Sequence, residues 1–368
     1  MRVKFDEYSE GYRIVSIAKD EATQNDLLKD GVNFIRLDQQ EVIIHPENKR
    51  LIASVECLEY LKQLNNYDVC EIWENGVIYL NYDNSSIDNY FFVTGKCNSN
   101  CLMCPSPDSA RKQGETTYVG TLIELAKHIP ISAQHLTITG GEAFMVGEDI
   151  IDFLGFLKEK FLDTEFLMLT NGRALAIDKY FSYFEDTAPL NCLVGIPIHA
   201  SNSTLHDSIT QSKGSFNQTL LGIKRLLSVG IKVELRVVVS KLNMNDLDDL
   251  ALLIINELHK VHHVSIIAME MTGSAYINRE EVWVPYTEAF KAIEQAVMNL
   301  IRAGIDVKLY NFPLCTVSEN MWTICEKSIS PEKVRYVQHC EKCTVKEICG
   351  GVFAGTLNLV KDELRTVL

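Results

Sequence analysis

Tyr90-Phe-Phe-Val-Thr-Gly-Lys-Cys97-Asn-Ser-Asn-Cys101-Leu-Met-Cys104 joins an apolar, aromatic run to a loop with three cysteines. Tyr90 to Thr94 reads as a β-strand, and the C-x3-C-x2-C spacing places three thiolates just past its C-terminal end. In folds built of successive βα units that end carries the active-site loops. Three thiolates can hold three irons of a 4Fe-4S cluster and leave the fourth iron open to a small molecule. A zinc ion completed by a distant His or Cys, or three structural thiols, are the plainer alternatives.

Downstream, strand-like runs at His135 to Thr139, Glu165 to Leu169, Cys192 to Ile198, Lys232 to Val239 and Val264 to Met269 follow the first. Thr121 to His128, Ile150 to Lys160, Phe216 to Leu227, Leu247 to His259 and Thr287 to Ala303 carry apolar residues three and four apart, as amphipathic helices do. Strand and helix alternating in this way predict an α/β fold whose parallel sheet curves into a partial (β/α)6, TIM-like barrel. Upstream, Tyr12 to Ile17, Asn33 to Leu37 and Glu41 to Ile44 read as short strands and Ala53 to Leu64 as a helix. Asp68 to Trp73 and Val77 to Tyr82 flank Asn75-Gly76, a hairpin signal, and Asp83 to Asp88 reads as a polar linker. The expected organisation is an N-terminal α+β domain over 1–85, a candidate for peptide docking, a barrel over 86–305, and a cysteine-bearing extension over 306–368.

With 368 residues, 46% hydrophobic and 23% charged, the chain has globular composition and enough length for one or two cores. A formal charge of −14 argues against a nucleic-acid partner. There is no apolar run of membrane-spanning length and no signal-peptide pattern, so a cytoplasmic location without a membrane partner is expected. Eleven cysteines in a reducing compartment point to buried thiols, metal ligation or redox chemistry.

Thr139-Gly140-Gly141-Glu142 follows the second strand of the series. Glycines permit close backbone approach, and a carboxylate suits an ammonium. Further candidates at strand ends are Thr170-Asn171-Gly172-Arg173, Pro197 with His199, Arg236 inside the fifth strand, and Glu270-Met271-Thr272-Gly273. A charge such as Arg236 within an apolar strand needs a partner, either a ligand carboxylate or a structural ion pair. His199 is read either as a ligand contact or as a barrel histidine with its bonds satisfied.

The tail carries Cys315 and then Cys340-Glu-Lys-Cys343-x5-Cys349-Gly350-Gly351, four thiolates that suit a closed metal site. Zinc and iron-sulfur are both compatible with that spacing. Either would stabilise a segment poor in core residues. Cys325 rivals Cys315 as the fourth ligand, whereas Cys57, Cys70 and Cys192 read as buried thiols.

The cysteine loop and the GGE turn resemble those of the radical S-adenosylmethionine (SAM) superfamily. The resemblance implies that Cys97, Cys101 and Cys104 hold the SAM-cleaving 4Fe-4S cluster and that Gly140, Gly141 and Glu142 orient the methionine amine of SAM. It further implies a 5'-deoxyadenosyl radical that abstracts hydrogen from the substrate. Met103 stands where that family has an aromatic residue, and its thioether could pack against adenine. Asn171, His199, Arg236 and Glu270 are the remaining candidates for cofactor contact.

The tail is similar to SPASM-type extensions, which implies an auxiliary 4Fe-4S cluster on Cys315, Cys340, Cys343 and Cys349. Phe353 occupies the position of a further cysteine in those domains, so one auxiliary cluster is expected and not two. GIPIHAS at 195–201, LHD at 205–207, KGSFNQT at 213–219, EMTGSA at 270–275, YNFPLC at 310–315, SIS with KVRY at 328–336, and CEKCTVKEICGG at 340–351 resemble the radical SAM maturases of His-Xaa-Ser systems, the HxsC branch. That resemblance implies a ribosomally made precursor peptide as substrate, a companion radical SAM maturase, and a one-electron donor such as flavodoxin or ferredoxin. A small-molecule or nucleotide substrate, and a metal-stabilised binding protein without turnover, are the alternatives.

Overall fold

The computed structural model describes residues 3–38 and 41–368. The N-terminal part is a seven-stranded sheet, β1 (Phe5–Glu7), β2 (Arg13–Ala18), β3 (Phe34–Asp38), β4 (Glu41–His45), β5 (Lys49–Ala53), β6 (Val69–Ile72) and β7 (Ile78–Tyr82), in the order β1-β5-β4-β3-β2-β6-β7. The Asn75-Gly76 hairpin joins β6 to β7, with Gly76 at φ 78°. Three elements escape the sequence reading here. The helix Glu21–Asp30 buries only Thr23 and Leu27, too little for a clear apolar period, although Asp20 caps its first turn and Gly31 closes its last. β1 and β5 are equally short of apolar alternation.

The second sheet has eight strands, all parallel: β8 (Tyr90–Phe92), β9 (His135–Thr139), β10 (Glu165–Leu169), β11 (Cys192–Pro197), β12 (Lys232–Val238), β13 (His263–Ile267), β14 (Val307–Tyr310) and β15 (Cys325–Glu326). Their spatial order is their chain order, and β8 and β15 form its two edges, so the barrel is partial. The expected six strands are present, and β14 and β15 carry the sheet beyond residue 305.

One face of this sheet is apolar because alternate residues point to it. Val233, Leu235 and Val237 of β12 and Val264 and Ile266 of β13 pack with Leu250, Ile254, Ile293 and Val297 from the surrounding helices. The helix Tyr286–Arg302 buries Tyr286, Ala289, Phe290, Ile293, Ala296, Val297 and Leu300, one continuous stripe. Each of Phe290, Ile293, Val297 and Leu300 contributes about 1.5–3 kcal/mol when fully buried. The opposite face of β12 and β13 carries Glu234, Arg236 and Ser265, so the concave side of the sheet is polar.

The N-terminal sheet lies directly on the barrel. Ile14, Val69 and Tyr82 share a core with Phe91, Leu122 and Leu125, and Ser16 Oγ bonds His128 Nδ1 at 2.9 Å. The stretch 83–88, expected as a linker, is a turn tied by Asn89. Asn89 accepts the N–H of Asp83 and donates to the carbonyls of Asp83 and Ser86. The tail, expected to have little core of its own, sends Val352, Val360 and Leu364 into the barrel core, and Glu363 accepts the Thr287 N–H at 2.8 Å. Its two-stranded sheet pairs β16 (Val334–Arg335) with β17 (Val352–Phe353). No helix among the described residues is long and apolar enough to cross a membrane.

Candidate functional site

The Cys97–Cys104 loop leaves β8 and is fastened on three sides. Asn100 N–H donates to Thr210 O at 2.9 Å and Leu102 N–H to Ile209 O at 3.0 Å, which fixes the loop to the end of the helix Ser203–Thr210. Ala275 N–H donates to Cys104 O at 3.2 Å, and a side chain at Gly273 would strike Pro105 O at 2.1 Å, so the EMTGSA segment needs that glycine to reach the loop. The third fastening is Arg111, 5% exposed, which the sequence reading passes over. Its guanidinium donates to Asn100 Oδ1 at 2.6 and 3.0 Å, to Ser274 Oγ at 2.8 Å and to Ser106 O. Its partners Ser106 and Asn100 are near in the chain, whereas Ser274 lies 163 residues away, and only the fold brings it to the guanidinium.

Ser99 N–H points at Cys97 Sγ from 3.4 Å, and Asn171 Nδ2 lies 3.9 Å from the same sulfur. Burial pushes the Cys101 thiol up to about 12, with Cys104 and Cys97 adding to the rise. A cationic core on these sulfurs would favour their thiolate forms. The residues present fit an iron-sulfur group.

The GGE turn is pressed backbone to backbone against the segment that launches this loop. Gly141 N–H donates to Thr94 O at 2.6 Å and Glu142 N–H to Lys96 O at 2.8 Å. A Cβ on Gly140 would lie 2.4 Å from Thr94 O, and one on Gly141 2.3 Å from Lys96 O, so neither position admits a side chain. Both glycines are needed for this close backbone packing. Glu142 is 1% exposed, and its carboxylate accepts Thr170 Oγ1 at 2.8 and 3.0 Å, Asn171 N at 2.7 Å and Phe144 N at 3.2 Å. Its oxygens are thus held by the chain, which makes Glu142 the clamp between two neighbouring turns. Burial pushes its acidity toward the neutral form, and these hydrogen bonds oppose the shift.

Thr170-Asn171-Gly172-Arg173 completes the cradle. Asn171 Nδ2 donates to Asn98 Oδ1 at 2.6 Å, and Arg173 donates to Ser99 Oγ at 2.9 Å and Asn98 O at 2.5 Å. Asn171 therefore lies at the cluster loop, as a loop contact.

The other sequence candidates separate. Met103, 5% exposed, packs in a small core with Ile209, Met269 and Met271. Arg236 meets Glu234 Oε1 at 2.8 Å, with His263 Nε2 3.7 Å from the same oxygen, so its partner is a residue of its own strand. Burial opposes ionisation of Glu234, yet His263 and Arg236 hold its carboxyl down to about 2. The Arg236 stem fits because Gly195 lies across from it, where a Cβ would stand 3.2 Å away. His199 is fully buried and stacks on His206 at 5.7 Å; burial, then the neighbouring imidazole, lower its pKa to about 3. Its Nδ1 has no partner among the described residues, so it is not the satisfied histidine of the plainer reading. Glu270 is half-buried at the end of β13, and burial raises its pKa against Lys333.

In the tail, Cys315, Cys340, Cys343 and Cys349 line one small cavity of about 20 Å³, partly open to solvent. No group of three or more His, Cys, Asp or Glu side chains among the described residues, in the tail or in the Cys97–Cys104 loop, stands in a metal-holding arrangement. Lys346, Arg335 and Arg365 share the lining, cations suited to an anionic thiolate cluster. Leu314 and Gly351 point N–H groups at Cys349 Sγ from 3.5 and 3.4 Å. Cys325 is absent from that lining and directs its thiol to Met321 O at 3.5 Å. Phe353 is buried in β17.

Residues 91–254 match the Radical SAM superfamily, and this segment is a radical SAM domain with the partial α/β barrel of that fold. The domain implies a 4Fe-4S cluster and SAM as cofactors. The chain is 31% identical over 164 residues to the antilisterial bacteriocin subtilosin biosynthesis protein AlbA of Bacillus subtilis (strain 168), covering 44% of this chain and 35% of that protein. It thus spans about a third of that relative's length. Among solved structures, Streptococcus suis SuiB bound to precursor peptide SuiA gives a TM-score of 0.49 at 12% identity, over 60% of this chain and 48% of that one. Native anSMEcpe with bound AdoMet and Cp18Cys peptide gives 0.46 at 12% identity, over 60% and 62%.

Proposed function

We propose that the protein is a radical SAM enzyme that modifies a ribosomally made precursor peptide. The arrangement of the cysteine loop carries the reading. Its three thiols stand at the C-terminal end of β8, and the glycines of the next turn lie flush against its root, at Thr94 and Lys96. In this reading Cys97, Cys101 and Cys104 hold the 4Fe-4S cluster, which when bound supplies the electron that cleaves SAM. Glu142 keeps the turns after β9 and β10 in register, and Asn171, Arg173 and Arg111 hold the loop so that the thiols keep their spacing. Gly140 and Gly141 bring backbone close to the methionine amine, while His199 and Glu270 stand at strand ends where SAM or substrate would contact them.

The AlbA similarity supports a peptide as the substrate. The finer reading is a maturase of His-Xaa-Ser type that works with a companion radical SAM maturase and a flavodoxin-like or ferredoxin-like donor in the cytoplasm. Residues 306–368 hold one auxiliary 4Fe-4S cluster on Cys315, Cys340, Cys343 and Cys349. Four thiols lining one cavity beside Lys346, Arg335 and Arg365 support this reading. The deciding experiment is anaerobic reconstitution, with iron, sulfide and zinc counted, and reductant-dependent conversion of SAM to 5'-deoxyadenosine. The Cys97/Cys101/Cys104 triple Ala variant is expected to lose both the cleavage and about four irons. Zinc without SAM cleavage in the wild type would overturn the proposal.

A further inference from the structure

A groove of about 680 Å³, partly open to solvent, runs between the N-terminal sheet and the first barrel strand. Tyr12, Trp73, Tyr90 and Phe92 line it, and they are 42%, 50%, 59% and 43% exposed. Tyr12 and Trp73 meet edge to face at 6.4 Å, and Trp73 meets Tyr79 in the same way at 6.0 Å, so the rings brace one another. Exposed aromatic surface gathered in this way marks an interaction site.

The charges in the groove have one sign. Glu71, Asp83, Asp88 and Glu115 line it, and among its described lining residues there is no Lys, Arg or His. Ring faces beside carboxylates attract ammonium and guanidinium groups and repel phosphates and acidic peptides. β7 is the last strand of its sheet, and its outer half, Tyr79-Leu80-Asn81, carries no Lys or Pro of the kind that guards an open edge. Two of its lining residues, Glu115 and Thr116, are tied to the segment that leads into the cluster loop. Glu115 O accepts the Gly95 N–H at 2.8 Å, and Thr94 bridges to Thr116, just before Cys97.

We infer that this groove docks an extended segment of the peptide substrate in which Lys or Arg side chains accompany apolar ones. The inference rests on the peptide reading above and names the chemistry of the segment recognised. Cationic heads sit between the carboxylates and the ring faces, and apolar side chains cover Trp73 and Phe92. The segment bound here leaves the rest of the peptide free to reach the concave face of the barrel.

The test is fluorescence anisotropy on the cluster-loaded protein without reductant, using labelled Lys-Val repeat and Glu-Val repeat peptides of about ten residues, a length that spans about 33 Å when extended. The Lys-Val peptide is expected to bind, to weaken as salt rises from about 50 to about 300 mM, and to bind about tenfold more weakly to Glu71→Lys/Glu115→Lys and to Trp73→Ala. Equal binding of the Glu-Val peptide, or no binding of either peptide to the wild type, overturns the inference without any variant. So does a dimer in sedimentation velocity that Trp73→Ala dissolves while peptide binding is missing. SAM cleavage by the wild type is followed in parallel. Its failure sinks the radical SAM reading and leaves the binding result standing, whereas lost binding with intact cleavage sinks the groove alone.

Discussion

The Glu142 carboxylate accepts the backbone N–H of Asn171 at 2.7 Å and so ties the turn after β9 to the turn after β10. Two further donors, the Thr170 hydroxyl and the Phe144 N–H, converge on the same carboxylate. Replacing Glu142 by Ala strands all three in a buried place, at about 1–3 kcal/mol for each unsatisfied group. Glu142→Ala is expected to melt several degrees lower and to cleave SAM at about a tenth of the wild-type rate or less, while iron content stays close to normal because the thiols remain. Melting, iron analysis and 5'-deoxyadenosine formation check this; unchanged cleavage would remove Glu142 from the site.

Arg111 holds Asn100, Ser106 and Ser274 from a buried position. Arg111→Met deletes the guanidinium and leaves its partners unanswered, a loss of about 3 kcal/mol by analogy with broken buried ion pairs. The cluster loop then loosens, and iron release in air, followed by the decay of visible absorbance, is expected to be several-fold faster than in the wild type. The same decay rate in both proteins would show that the loop keeps its shape without Arg111.

Cys315 lines the tail cavity and Cys325 lies outside it. Cys315→Ala is therefore expected to lower the iron count from about eight to about four per chain, and Cys325→Ala to leave it near eight. The tail should also become sensitive to protease in the first variant, since a bound cluster contributes to folding there. Reversed iron counts would exchange the two assignments.

His128 gives the acid dependence of stability. Its Nδ1 meets Ser16 Oγ at 2.9 Å, joining the N-terminal sheet to the helix Val119–His128. Burial lowers its pKa to about 4, with Lys160 and Lys127 in the same direction and Glu124 opposing. Unfolded histidine titrates near 6.5. The neutral ring's contribution is fully present above about 6.5 and is lost as the pH falls through the window down to about 4. His206, at about 4, and His199, at about 3, have the same sign. The melting temperature is expected to fall between pH 7 and pH 5, and less steeply in His128→Gln. Parallel profiles for the two proteins would show that His128 is not a source of the slope.

The barrel was largely legible because its signals are periodic. Val233, Leu235 and Val237 alternate along β12, and the stripe from Tyr286 to Leu300 repeats every three or four residues, so each element announces the face it buries. The helix Glu21–Asp30 was not legible, since it buries two side chains and has only its caps to mark it. The spacing of Cys97, Cys101 and Cys104 and the glycines at 140 and 141 were readable as a site. The roles of individual residues were less so: Arg236 is answered by Glu234.

What the amino-acid sequence determined by itself is therefore local: the order of strands and helices, the loop with three thiols, and the two-glycine turn. Each depends on contacts within a few residues or on a repeat along one element. Only the tertiary structure decided that Arg111 reaches Ser274, 163 residues away, that Cys315 and not Cys325 joins the three later thiols, and that an acidic aromatic groove opens beside β8. The reason is physical. Side chains separated along the chain acquire a mutual distance only when the sheets and helices pack, and burial, hydrogen bonding and electrostatic attraction all depend on that distance.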